Sequence, residues 1–597
     1  MSNEDSAETL AALEAAKAKY AEERAKRLRA DGASQWQDFS GEYKDFDRDP
    51  YVEPGFTRDP LTEEVEVVIV GAGFGGMLAA AQLRQQGIDN FRIIDKAGDF
   101  GGTWYWNRYP GAMCDVESYC YLPMLEETGY MPTQKYAQAP EIFAYCQLFG
   151  RHFGIYDNAL FQTEVSGMEW QEDTQRWITT TSRGDTITSK FTVIVGGVLH
   201  KAKLPAIPGI KNFKGEGFHT SRWDYEYTGG NAYGGMTNLA DKRVGVIGTG
   251  ATAVQVVPKL AADCKELFVF QRTPAAVGVR NQGDTDVEWF KSLKPGWQIE
   301  RIRNFTEAVS GKQPEVNLVG DSWTEMYWTD TKQIGATPEE QLALEELDFQ
   351  NMEKIRHRIA DIIEDPETAE RMKPWYGQYC KRLCFHDDYL PAFNRPNVHL
   401  VDTEGRGVDH ITENAVVVDG VEYPVDLLIY ASGFEVTSDY HHRLGFDPKG
   451  RGGVSLSEAW GEGPYTLHGV MSDGFPNMLM ISTLQGGFGT NFVHYLTETS
   501  KHVVYIIKMC LDEGIAEIEP TRDAEEGWFM ELLSHVMGMA NYNTTCTPGY
   551  MNREGEAGDM KAARGLSYMG SVGDYAKHLE NWREEGKLTG VEVVRAK

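Results

Sequence analysis

The stretch from Val65 to Asp95 constrains this chain more than any other. The apolar run VEVVIV (residues 65–70) reads as a short buried strand that passes straight into GAGFGG, which places Gly71, Gly73 and Gly76 in a G-x-G-x-x-G pattern. A helical segment, MLAAAQLRQQ, follows and is ended by Gly87. A second apolar run, FRII, then delivers Asp95, 22 residues beyond Gly73. Each part has a distinct physical role. Gly71 permits the tight turn, Gly73 lets a pyrophosphate approach the backbone, and Gly76 lets helix and strand pack closely. The phosphates would rest on the helix N-terminus, where backbone N–H groups lack partners. Asp95, at the end of the second strand, can accept hydrogen bonds from ribose hydroxyls and repels a 2′-phosphate, which favours FAD or NAD over NADP.

The same grammar recurs later. KRVGVIGTGATAVQVV (residues 242–257) supplies another strand, glycine turn and helix, with Gly248, Thr249 and Gly250 in the turn and Ala253 at the third, permissive position. Pro258 is expected to kink or end that helix. The next strand, LFVF, leads through Gln271 to Arg272 and Thr273, and Arg272 again stands 22 residues after the middle glycine. The spacing is shared but the charge at the ribose position is reversed, and a guanidinium offers a planar fork of donors to a 2′-phosphate. The expected fold is therefore α/β, with two Rossmann-like dinucleotide-binding domains, the first for FAD and the second for NADP.

Around these units the chain divides into an N-terminal helical extension (1–55), a first part of the FAD domain (56–205), an NADP domain (206–395) and a returning FAD segment with the C-terminus (396–597). Residues 8–30 are rich in Ala, Glu, Lys and Arg without a wide apolar stripe, so the extension is expected to pack along the surface with no chemical role. Residues 161–190 alternate like a β-meander, and Asp419-Gly420 marks a hairpin turn. A helical insertion (285–372) interrupts the NADP domain. There Thr337-Pro338-Glu339-Glu340 forms a capping box opening a helix to about Glu364, and the insertion is expected to shape or cover a site.

The formal charge of −31 over 597 residues argues against nucleic acid or an anionic membrane as partner. No apolar run approaches the roughly 18 residues a membrane helix needs, and MSNEDSAETL lacks the features of a secretory leader, so a cytoplasmic location is expected. The eight cysteines show no C-x-x-C pair and no histidines at zinc spacing, which implies neither a disulfide framework nor a metal site. Cys114 and Cys120 read as buried or half-buried free thiols. Two further segments bear on chemistry. GGTWYWNRYPGAMCDVESYCY (residues 101–121), carrying Arg108 and Asp115, reads as an aromatic loop lying on a planar ring system beside the dinucleotide site. In KPWYGQYCKRLCFHDDYL the adjacent Lys381 and Arg382 read, on residue type alone, as a solvated surface pair; only their aromatic setting argues otherwise.

Between the two units lies FKGEGFHTSRWD, in which Phe213, Gly215, His219, Trp223 and Asp224 fit F-x-G-x-x-x-H-x-x-x-W-(P/D). This resembles the fingerprint of the type I Baeyer-Villiger monooxygenases. The alternative, a flavin monooxygenase that oxygenates nitrogen or sulfur, carries Tyr or Phe where this chain has Trp223. GGTWYWNRYPGAMCD, QRTP, CKR, YASGF and CTPGYMNREG also resemble segments of the family, and together they span roughly residues 60–560. The resemblance implies non-covalent FAD, NADPH and O2, and a ketone converted to an ester or lactone. It implies that Arg382 sits over the flavin and stabilises its peroxide anion, with Asp115 orienting and balancing the arginine. Lys381, Arg272 and Thr273 look like the grip on the NADP 2′-phosphate, while Thr103, Trp104, Asp115 and Tyr121 match positions lining FAD. His219 and Trp223 belong to a linker that couples domain motion to catalysis, without acid-base chemistry of their own. The length, extension and insertion resemble longer members that take bulky or large-ring ketones. One departure is Val198, where some members have a polar glutamine, so no role is carried to it.

Overall fold

The computed structural model describes residues 3–327, 337–536, 545–556, 558 and 560–596. Its first sheet is centred on Thr62–Val70, a strand whose inner residues Val67, Val68 and Ile69 are fully buried. Phe91–Ile94 and Thr186–Ile194 pair with it in parallel on either side, and Ala159–Leu160 extends the first edge. On the other side the strands Val165–Gln171, Arg176–Thr181 and Thr186–Ile194 form an antiparallel meander. The last three residues of Thr186–Ile194 also pair in parallel with Met478–Met480, which ties the C-terminal third of the chain into this sheet. Helix Phe74–Gln85 crosses between the two central strands and is buried from Phe74 to Leu83. Helix Phe492–Asp512 packs against it at Gly75, where a Cβ would lie 3.2 Å from Leu496 and where the Ser500 hydroxyl donates to the Gly75 carbonyl at 3.4 Å.

The second sheet contains five parallel strands in the order Val398–Asp402, Glu266–Gln271, Arg243–Ile247, Leu427–Tyr430, Glu216–His219. Parallel strands covered on both faces read as unbroken apolar runs, which is why LFVF and LLIY carry no alternation. Helix Ala251–Asp263 runs through Pro258, so of the two expected outcomes, a kink or an end, the helix does not end there. The missing N–H removes one hydrogen bond, but burial of Val254, Val256, Val257, Leu260 and Ala261 on the sheet outweighs it. The hairpin Ala415–Val418 to Val421–Pro424 turns through Asp419 (φ 51°) and Gly420 (φ 74°), the pair of positive φ angles that a two-residue loop requires.

The insertion contributes helices Val287–Ser292, Trp297–Val309, Ser322–Tyr327, Pro338–Ile362 and Pro366–Arg371. Thr337 and Glu340 form the expected capping box at the start of the fourth of these, which ends at Ile362. The N-terminal helix Asn3–Arg27 packs along that same helix and buries Leu13, Ala16 and Arg27. Beyond it, Trp36–Asp38 pairs antiparallel with Lys203–Pro205, so the extension is tied into the body of the protein. No helix among the described residues is long and apolar enough to cross a membrane.

Candidate active site

One cavity of about 2000 Å³ runs from the first glycine turn to the second. That exceeds the roughly 300–1,000 Å³ of a single small-ligand site. At the first turn Gly71 has φ 111°, and a Cβ there would lie 2.3 Å from the Val195 carbonyl oxygen. A Cβ on Gly76 would come within 1.9 Å of the Gly71 carbonyl oxygen, so any larger residue would push the helix off its strand. Gly73 caps the helix without a side-chain hydrogen bond, leaving the first N–H groups of Phe74–Gln85 directed at the cavity. Asp95 lies at the cavity wall. Its carboxylate accepts from Ala72 N at 2.6 Å and Ala97 N at 2.7 Å, so it also holds the glycine turn in shape. Burial pushes its pKa up, and the two N–H donors work against that shift.

Thr103, Trp104 and Tyr121 line the same wall, and the Trp104 indole donates to the Tyr121 hydroxyl at 3.0 Å. Arg108 turns away from it, its guanidinium lying 4.1–4.4 Å from the ring centres of Tyr51, Tyr105 and Phe143. A bare helix N-terminus, a turn that admits no Cβ and an aromatic wall fit FAD.

Asp115 and Arg382, 267 positions apart, meet in a bidentate pair with both Nη–Oδ distances 2.7 Å. Asp115 is only 6% exposed, whereas 42% of the Arg382 side chain is accessible and lines the cavity. Burial alone would raise the Asp115 pKa, but the Arg382 guanidinium overrides it and holds the carboxyl below its ordinary value. Two residues unmarked in the sequence complete the arrangement. Trp323, from the helical insertion, donates its indole N–H to the Asp115 carbonyl at 2.9 Å and lays its ring 5.8 Å from the Arg382 guanidinium. Arg280, buried, donates to the Cys114 and Phe385 carbonyls at 3.2 and 2.8 Å and adds positive potential at Asp115. The solvated reading of Lys381 and Arg382 is thereby corrected, since both line the cavity.

At the second turn, Gly250 caps helix Ala251–Asp263 without a side-chain bond, and the Thr249 hydroxyl donates to the Thr273 carbonyl at 2.7 Å. Gly248 and Gly250 line the cavity, and Ala253 is buried behind them. Arg272, Lys381 and Lys203 gather around one carboxylate, Glu554, with Arg272 Nη2 at 3.6 Å and Lys203 Nζ at 3.9 Å. Lys381 donates to the Pro548 carbonyl at 2.9 Å. Burial, reinforced by the nearby Arg272, pushes the Lys381 pKa down to about 7, and burial pushes Lys203 down to about 8. A half-buried cluster with more cations than anions fits a phosphate.

The cysteine expectation needs correction in one respect. Cys380 and Cys546 form a disulfide, 166 residues apart, which joins the Lys381-Arg382 segment to the C-terminal CTPGYMNREG loop. Such a separation leaves no spacing signal in the sequence. Cys114 and Cys120 are buried free thiols. The fingerprint residues do not line the cavity. Trp223 is fully buried and donates to the Thr228 hydroxyl at 3.1 Å, while Asp224 caps helix Tyr225–Thr228 through Tyr227 N at 3.0 Å. His219 is fully buried, accepts from Ser221 N at 3.1 Å, and burial pushes its pKa down to about 3. Phe213 packs on Gly215, where a Cβ would lie 2.6 Å from its ring and from the Asp426 carbonyl.

Two dinucleotide clefts with opposite charge at the ribose position, and an arginine–carboxylate pair between them, define a flavoprotein monooxygenase with separate FAD and NADPH sites. Residues 69–131 match the model of an NAD(P)-binding Rossmann-like domain. The chain is 47% identical over 588 residues to a Baeyer-Villiger monooxygenase of Stachybotrys chlorohalonatus, covering 96% of this chain and 93% of that one. It is 46% identical to the neopentalenolactone D synthase of Streptomyces avermitilis, covering 97% and 99%. Its structure superposes on the polycyclic ketone monooxygenase of the thermophilic fungus Thermothelomyces thermophila with a TM-score of 0.93 at 38% identity, covering 98% and 100%. The chain belongs to the Baeyer-Villiger monooxygenase family.

Proposed function

We propose that the chain inserts one oxygen atom beside the carbonyl of a bulky or polycyclic ketone. NADPH, O2 and a proton are consumed, and an ester or lactone, NADP+ and water are formed. The observation that carries this reading is the Asp115–Arg382 pair, which lines the same cavity as both glycine turns. Bound FAD and NADPH supply hydride transfer and oxygen activation. The side chains supply charge, position and exclusion of water. Arg382 keeps its proton at any working pH, so it faces an anionic oxygen as a fixed charge, where a lysine or histidine could act as an acid and quench it. Negative charge developing on the ketone oxygen is stabilised by the same guanidinium, more strongly in a water-poor cleft. Asp115 receives both Nη groups and sets the plane of the guanidinium, while Trp323 holds the Asp115 backbone. Arg272, Thr273 and Lys381 would hold the NADP 2′-phosphate, and Thr103, Trp104 and Tyr121 would wall FAD.

The size of the ketone is argued from the apolar surface facing the cavity. Phe488, Tyr550 and Met551 line it and remain 44%, 38% and 44% exposed, area that a multi-ring ketone would cover. The likeness to a polycyclic ketone monooxygenase over nearly the whole chain supports the same class. A panel from cyclohexanone to four-ring ketones, with NADPH oxidation followed and products weighed, tests both parts. Rates should rise with ring number and products should gain one oxygen. NADPH oxidation indifferent to every ketone would overturn the reaction, and turnover confined to single rings would overturn the size class.

A further inference from the structure

The segment between Arg27 and Asp38 lies outside both dinucleotide units, yet its side chains reach the second one. Gln35 is buried; its amide nitrogen donates to the Gly32 carbonyl at 2.7 Å and its amide oxygen accepts from Arg272 Nη1. Arg27 donates from Nε to the Arg272 carbonyl and to the Thr273 hydroxyl, both at 3.1 Å. The Trp36 ring centre lies 3.9 Å from Lys203 Nζ and 5.4 Å from the Arg272 guanidinium carbon. The indole N–H of Trp36 donates to Glu554 Oε1 at 3.0 Å. The other Glu554 oxygen is buried without a hydrogen bond and stands 3.6 Å from Arg272 Nη2. Pairing of Trp36–Asp38 with Lys203–Pro205 fixes this register. Gln35, Trp36 and Glu554 all line the same cavity as Thr249, Thr273 and Lys381.

We propose that the N-terminal extension forms a wall of the coenzyme 2′-phosphate subsite. Gln35 and Trp36 are positioning residues that aim Arg272 and Lys203. Glu554 is a built-in carboxylate that shares those cations until a 2′-phosphate takes them. The proposal rests on the NADPH reading of the second glycine turn. Its physical basis is preorganisation. Free Arg and Lys side chains lose rotamer entropy on gripping a ligand, and an amide oxygen and an indole face that hold them beforehand remove part of that loss. Glu554 carries one negative charge, whereas a phosphate monoester carries about 1.5 to 2, so the phosphate displaces it. A coenzyme without the 2′-phosphate brings no such charge, which sharpens the preference for NADPH.

The test uses the flavin-loaded full chain and titration calorimetry with adenosine 2′,5′-bisphosphate and with 5′-AMP. Gln35→Ala and Trp36→Ala should each weaken the bisphosphate about tenfold and leave 5′-AMP unchanged. Glu554→Gln should tighten the bisphosphate about three- to tenfold. Unchanged 5′-AMP affinity also shows that a variant has folded. Equal losses for both ligands, undiminished bisphosphate binding in both extension variants, or weaker binding in Glu554→Gln would overturn the proposal. A wild-type protein with no preference for the bisphosphate over 5′-AMP would instead overturn the NADPH reading beneath it.

Discussion

Arg382 brings a fixed positive charge to the cavity wall, and Asp115 fixes where that charge points. Removing it in Arg382→Ala should cost about 10²- to 10³-fold in ester formation, the loss typical of deleting a preorganised oxyanion donor. Flavin should stay bound, and NADPH should still be oxidised slowly with hydrogen peroxide as product, which peroxide assay and product analysis together would reveal. Asp115→Ala should act in the same sense but more mildly, because the positive charge remains. Normal ester yield in Arg382→Ala would return the arginine to a bystander role. Lys381 carries a second prediction. Burial, then Arg272, pushes its pKa down to about 7, and a bound phosphate favours the protonated form. NADPH affinity should therefore be full below about pH 7 and fall by up to about tenfold per pH unit above it. KM for NADPH measured from about pH 6 to 9 checks this; the slope should flatten in Lys381→Arg, whose charge does not titrate.

At the scale of elements, the site is assembled by segments that secondary-structure grammar treats as connections. The insertion brings Trp323 to Asp115 and sends Arg301 to Glu117, which it meets with Nη2 at 2.9 Å from the carboxylate. The C-terminal loop brings Tyr550 and Glu554 and is fastened to the Lys381-Arg382 segment by Cys380–Cys546. Closing a loop of 166 residues is worth about 5 kcal/mol in the chain-entropy account. Dithiothreitol should therefore lower the denaturation midpoint of the wild type. Cys546→Ser should match the reduced protein and no longer respond to the reagent. Equal midpoints for all three would show that packing of the loop, not the covalent link, holds it.

The whole molecule buries several histidines in neutral form, and this sets its acid limit. His219 and His468 are held down to about 3, in each case first by burial and then by a neighbouring Arg222 or His578. A depressed folded pKa means that the stabilisation is complete above the unfolded value of about 6.5 and is lost as pH falls towards 3. Each such histidine contributes about 1.4 kcal/mol per pH unit in that window. Glu525 and Asp321, pushed up to about 7 and about 6 by burial, act in the opposite sense, but His200, His386 and His494, held at about 4, 3 and 4, join the first two histidines and outnumber them. Denaturation midpoints from about pH 7 to 4.5 should decline, and His468→Phe should reduce the slope by about one proton. An unchanged slope in that variant would remove His468 from the account.

Local chemistry was enough for the two dinucleotide units. Glycine spacing, unbroken apolar strands and the charge 22 residues beyond each middle glycine all act over one βαβ unit, so Asp95 and Arg272 could be placed from the chain alone. Trp223 separated two kinds of monooxygenase only through resemblance, since its buried place beside Thr228 performs no reaction that residue type could reveal. The rest was decided by tertiary structure, because it depends on contacts between segments with no common spacing. Residue type alone put Arg382 on the surface; the family resemblance paired it with Asp115, and the fold brings the two into contact. Pro258 reads as either a kink or an end of its helix, and only the packing of its neighbours on the sheet shows that the helix continues past it. Cys380 and Cys546 look unrelated until the C-terminal loop returns across the molecule. The N-terminal extension has no motif at all, and it acquires a place at the coenzyme cleft through tertiary contacts, Arg27 reaching Arg272 and Thr273 and a short strand beside Lys203–Pro205 setting Gln35 and Trp36 near Arg272.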